Sequence, residues 1–118
     1  MLNLPSGTKV YVASNPVRMC LSFDGLSDLV RGVLRKDPFS EQLFIFFNKR
    51  KDKVKILYWD RNGYAIWYKR LEGGIFRTPR IKEDCYVLTI GELSMLLEGI
   101  DLTDKSRFSS LNIRKNNL

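Results

Sequence analysis

The sequence contains no histidine, so no imidazole is on hand as an acid or base near neutral pH. Two cysteines, Cys20 and Cys85, are too few for a four-ligand zinc site in a chain without histidine. They read instead as reduced, buried apolar side chains. No apolar run approaches the length that crosses a bilayer, the longest being Leu43–Phe47. The first residues have neither the basic start nor the apolar stretch of an export signal, so a cytoplasmic protein with no membrane partner is expected. There is no Gly-rich phosphate loop and no nucleophile elbow. A metal-dependent nuclease using Asp24, Asp37, Asp60 and Glu72 is the one enzymatic alternative, and a helix start and a turn already account for Asp24 and Asp60. Neither catalysis nor a cofactor is expected.

What the chain does have is a core. With 118 residues, 44% of them hydrophobic and 28% charged, it can bury one core without staples. Residues 1–103 are expected to form a single α+β domain. In 104–118 only Phe108, Leu111, Ile113 and Leu118 stand among polar and charged residues, so that tail is expected to be loose.

It also has unevenly placed charge. Residues 49–82 hold 11 of the 20 basic residues against Asp52, Asp60 and Glu72, a local +8, whereas the rest of the chain sums to −1. A basic region on a β-rich surface points to a polyanion partner, most simply nucleic acid. Nine of the 14 aromatics fall within the overlapping span 44–76.

Periodicity supplies the elements. Residues 9–13 alternate as a first strand, ended by Asn15-Pro16. Phe23, Leu26, Leu29, Val30, Val33 and Leu34 recur at helical spacing, with Ser22 or Asp24 as a cap and Asp37-Pro38 as the stop. The run at 43–47 reads as a central buried strand, and 48–52 as a turn. Along 53–59, Val54, Ile56 and Tyr58 share one face, and Lys53, Lys55, Leu57 and Trp59 the other. Asn62 and Gly63 tolerate the positive φ of a tight turn before a strand at 64–70. A last strand follows at 85–88, and Thr89-Ile90-Gly91-Glu92 fits a capping box leading a helix with Leu93, Leu96, Leu97 and Ile100 on its apolar face. The order β-α-β-β-β-β-α predicts an antiparallel sheet of about four to six strands, with a meander at its centre and two helices packed on it.

Lys49, Arg50, Lys51 and Lys53 crowd the turn, and Lys55, Arg61, Lys69 and Arg70 extend the same sign along the following strands. Against a charged turn left to water, this array favours phosphate binding. A protein making ~6 to 10 phosphate contacts loses roughly a thousandfold or more in affinity between low and near-physiological salt. Most of Tyr58, Trp59, Tyr64, Trp67 and Tyr68 read as cross-strand packing. An exposed Trp59 or Trp67 beside Lys55 or Lys69 could instead stack on a base, and Trp59 is the one counted with those cations.

The order of motifs resembles a known family. Val10-Tyr11-Val12-Ala13 follows Leu4-Pro5-Ser6-Gly7, and Phe23-Asp24-Gly25-Leu26 and Asp37-Pro38-Phe39-Ser40 come next. Leu43-Phe44-Ile45-Phe46, Lys55-Ile56-Leu57-Tyr58-Trp59-Asp60, Tyr68-Lys69-Arg70-Leu71-Glu72 and Leu96-Leu97-Glu98-Gly99-Ile100-Asp101 complete the series. Together they resemble the small accessory protein encoded by the second open reading frame of insertion-sequence-66-type bacterial transposable elements. The resemblance implies a non-catalytic helper of transposition, acting beside a separate transposase, with DNA as the usual supposed ligand. An adaptor that binds the transposase without touching DNA is the alternative.

Overall fold

The computed structural model describes residues 7–99. Five strands form one sheet: β1 (Val10–Ala13), β2 (Leu43–Phe47), β3 (Lys53–Asp60), β4 (Gly63–Arg70) and β5 (Cys85–Leu88). Two α-helices, α1 (Phe23–Leu29) and α2 (Ile90–Leu97), accompany the sheet among the described residues. The spatial order β4-β3-β2-β1-β5 places the apolar run of β2 in the middle, where all five of its residues are buried.

The sheet is mixed, which corrects the antiparallel expectation. β1 and β2 run parallel, with Tyr11 opposite Phe44, and the other three pairs are antiparallel. The reason is the connection. Tight turns join β2, β3 and β4 and reverse the chain each time, whereas α1 carries it from the end of β1 back to the start of β2.

The helices lie on opposite faces. Leu26, Val30 and Leu34 from α1 and its extension pack with Tyr11, Phe44, Phe46 and Leu57. Leu93, Leu96 and Leu97 from α2 pack with Val10, Val12, Ile45 and Ile56, joined by Phe76 from the loop before β5. Strand alternation therefore feeds two cores, one on each side of a single sheet.

Local chemistry shapes the ends. Ser22 precedes α1 but gives no side-chain capping bond, contrary to expectation, and Asp24 lies in the first turn, where a carboxylate suits the helix dipole. At Gly25 a Cβ would come 2.8 Å from Leu21 Cδ2, so a larger residue there would make the Leu21 side chain shift. The helix runs on through a π turn (Val30–Leu34) and stops at Arg35, whose φ of 56° is left-handed. Asp37 then accepts the Phe39 N–H at 2.9 Å and fixes the turn toward β2. At α2 the capping box is complete: Glu92 N–H donates to Thr89 Oγ1 at 3.1 Å, and Thr89 N–H donates to Glu92 Oε1 at 2.9 Å.

In the β3–β4 hairpin, Arg61 holds the positive φ, instead of Asn62 or Gly63. Pairing of Asp60 with Gly63 draws that glycine into the strand and leaves Arg61 as the first loop residue. Cys85 is buried, and burial pushes its thiol pKa up. Cys20 is exposed, against expectation, in the segment leading to α1. Among the described residues no helix is long and apolar enough to cross a membrane. The expected loose tail at 104–118 and Ile100 of the α2 face lie outside the described residues.

Candidate nucleic-acid interface

The basic turn after β2 is a built loop. Asn48 Oδ1 accepts the N–H groups of Asp52 and Lys53 at 3.1 and 3.0 Å, and Asn48 Nδ2 donates to Asp52 Oδ1 at 2.6 Å. That Asn48 bond, with Arg50 and Lys53 nearby, holds the Asp52 carboxyl below its ordinary pKa. The segment after β4 locks the turn from outside, through Leu71 N–H to Asp52 O and Phe76 N–H to Lys51 O, both 2.7 Å. The backbone that carries these cations is held in place, which lowers the ordering cost of a multi-point contact.

Within this frame the predicted cations separate. Lys49 and Arg50 are exposed at the tip. Lys53 is half-buried opposite Arg70 on one face of the sheet, and Lys69 is exposed on the other. Arg70 is exposed but is held by Glu72, with Nε 2.8 Å from Oε2. Lys51 turns inward in a left-handed conformation (φ 60°) and donates to Thr78 Oγ1. Burial, and then the nearby Arg80, push its pKa below the ordinary lysine value.

Lys55 is 7% exposed and leaves the set of cations open to a ligand. Its ammonium donates to Met19 O at 2.8 Å and Leu21 O at 2.7 Å and lies 4.9 Å from the centre of the Tyr68 ring. It holds the segment leading into α1 against the sheet. Alternation places Lys55 on the face that this segment covers, beside the buried Leu57, so a lysine in an outward-looking pattern ends inside.

Arg61 and Trp59 are at the opposite end of the sheet. Lys53 and Trp59 stand six positions apart on one extended strand, about 20 Å. Trp59 belongs to an aromatic group that the sequence spacing did not reveal. Phe39 meets Trp59 edge-on at 4.9 Å between centroids and stacks on Tyr64 at 5.7 Å, while the Arg31 guanidinium sits 5.3 Å from the Phe39 ring centre. Phe39 is 49% exposed. Arg61 approaches Asp60 at 3.8 Å on the turn itself. Lys53, Lys55 and Trp59 therefore share a face of the strand but not an open surface.

The carboxylates weighed for a nuclease are dispersed into local duties. Asp24 is in the first turn of α1, Asp37 caps a turn, Asp60 pairs with Arg61 and Glu72 with Arg70. Among the described residues no three His, Cys, Asp or Glu side chains gather as a metal site would need.

Comparison with known proteins accounts for this set of motifs. The sequence matches the family described as IS66 Orf2-like protein over residues 8–107. It is 34% identical over 107 residues to uncharacterized protein y4jC of Sinorhizobium fredii, covering 91% of this chain and 92% of that one. A second Sinorhizobium fredii protein, uncharacterized protein y4hO, is 32% identical over 100 residues, covering 83% and 87% of the two chains. No solved structure matches. A match spanning most of the chain, with two relatives of nearly the same extent, means that this protein belongs to the transposition-associated IS66 Orf2-like family.

Proposed function

We propose that this protein is a non-catalytic accessory factor of transposition that holds DNA by its phosphates at the end of the sheet where the basic turn lies. One observation carries the reading: Lys49, Arg50 and Lys53 lie on a hydrogen-bonded loop, with Lys69 at the same end of the sheet on its other face, and none of them is in an ion pair among the described residues. Arg70 adds to the same field while keeping its bond to Glu72. Phosphate contacts position a protein without reading bases, so little sequence preference is expected.

Four phosphate contacts would give a slope of about −3.6 in log affinity against log salt, or roughly a 150-fold loss between 50 and 200 mM. Fluorescence anisotropy with a labelled duplex tests this. Replacing Lys49, Arg50 and Lys53 together with glutamine should lower the slope by about 2.7. An affinity that ignores both salt and these substitutions would refute the reading.

A second reading, an adaptor for the transposase, draws on a different observation. The exposed Phe39, with Trp59, Tyr64 and Arg31, has the residue types that dominate protein–protein hot spots, and it lies away from the basic turn. Retention of the transposase by the tagged protein in nuclease-treated lysate, abolished by Phe39→Ala, would support it. Equal retention by the variant would count against that surface.

A further inference from the structure

At the carboxyl ends of the parallel pair β1 and β2 the chain leaves a crevice lined by Ser14, Asn15, Lys51, Thr78 and Tyr86, among others. Its cavity of about 10 Å3 admits a single oxygen-sized group. Ser14 is anchored through its N–H to Asp84 O at 2.9 Å, and its Oγ is buried without a hydrogen-bond partner. The Lys51 ammonium enters from the turn and gives one N–H to Thr78, keeping two more to offer. Thr78, accepting from Lys51, keeps its own hydroxyl proton. Arg80 stands near enough to disfavour the Lys51 charge, and no carboxylate is among the lining residues. Asn48, on the same wall, already spends its amide on Asp52 and Lys53.

The crevice thus gathers donors and positive charge around a space the size of one oxygen, with nothing of opposite sign in its walls. The Lys51 ammonium is partly withdrawn from water there, and an anion in the crevice would favour its charged form. We propose that this crevice is a seat for one phosphate group, whose leading oxygen enters between Lys51, Ser14 and Thr78. That the phosphate belongs to a polynucleotide rests on the function proposed above. Lys49 and Arg50, on the same turn, would then hold phosphates on either side. The seat differs from the exposed cations in kind, because it fixes one phosphate at one place and so sets the register of the strand.

The test uses the full chain labelled with nitrogen-15. Inorganic phosphate is titrated at constant ionic strength against chloride, and then a short DNA is added. Saturable movement of the Ser14, Lys51 and Thr78 amides is expected with both. Lys51→Met should abolish the phosphate response and weaken DNA binding about tenfold or more. Lys49→Gln should weaken DNA binding while leaving the phosphate response intact. Ser14→Ala, which removes only the unpartnered hydroxyl, gives a second variant should Lys51→Met fail to fold.

DNA binding with no movement at these amides from either ligand would overturn the seat and leave the proposed function standing. Saturation by phosphate without any DNA binding would keep the seat and overturn the proposed function. Movement with phosphate but not with bound DNA would overturn the assignment of the seat to a polynucleotide.

Discussion

Lys55 offers the sharpest test of how the fold uses its charge. Replacement by methionine keeps an unbranched stem and removes the ammonium that reaches Met19 O and Leu21 O at 2.8 and 2.7 Å. A hydrogen bond to a charged group contributes about 1.5–3 kcal/mol, and contact with an aromatic face adds about 0.5–1 kcal/mol at an exposed site. The two carbonyls belong to a loop and can turn partly to water, so the bonds do not add in full. The expected loss is about 2–4 kcal/mol. For a domain of this size each kcal/mol moves the midpoint by about 3–6 °C, so Tm should fall by roughly 6–24 °C. Urea denaturation followed by circular dichroism measures the free energy, and hydrogen exchange at residues 19–22 should quicken in the variant. A change below about 0.5 kcal/mol with normal exchange but weakened DNA binding would mean that this ammonium serves a ligand and that the clamp is wrong.

Thr89→Ala should destabilise the protein by about 1 kcal/mol, read in the same urea assay, because it removes the side chain that accepts the Glu92 N–H. Asn48→Ala takes away the acceptor for two backbone N–H groups of the basic turn and should cost about 1–2 kcal/mol by thermal melting, with Lys51 losing its fixed approach to Thr78. The Asp52 carboxyl, held low by Asn48, contributes stability that is full above its ordinary value near pH ~4 and is lost as pH falls through the lower folded value. Acid titration followed at the Asn48 side-chain amide should therefore show a midpoint below that of an unperturbed aspartate, and the Asn48→Ala protein should lose this part of its acid sensitivity.

Features set by neighbours in sequence were legible. The Thr89 capping box needs only a threonine and a glutamate three residues on, and both of its bonds are present. The run Leu43–Phe47 is apolar at every position because it is covered on both faces, and it is the middle strand. The parallel pairing of β1 with β2 was not legible, since it depends on where α1 sets the chain down and no residue pattern records that. Lys55 was placed on the correct face of β3 by alternation, but alternation does not say which part of the chain will cover that face. The site was legible as charge and not as arrangement. Lys49 and Arg50 are at the surface as expected, whereas the convergence of Ser14, Lys51 and Thr78 depends on long-range packing. Ser14 and Thr78 carry no charge, so nothing in the composition of the basic segment drew attention to them.

The position of β4 at the end of the strand order has a bearing on how its charges can be studied. An eight-residue edge leaves a row of backbone donors and acceptors open to another copy of the same strand, and flanking charge is how such edges resist aggregation. Lys69 and Arg70, with Tyr68 half exposed beside them, are the gatekeepers of this one. Neutral substitutions there would weaken phosphate attraction and unguard the edge together, so insoluble protein could pass for loss of binding. Glutamate at the same positions keeps a charge on the strand while repelling phosphate, so charge reversal separates the two duties that each side chain performs.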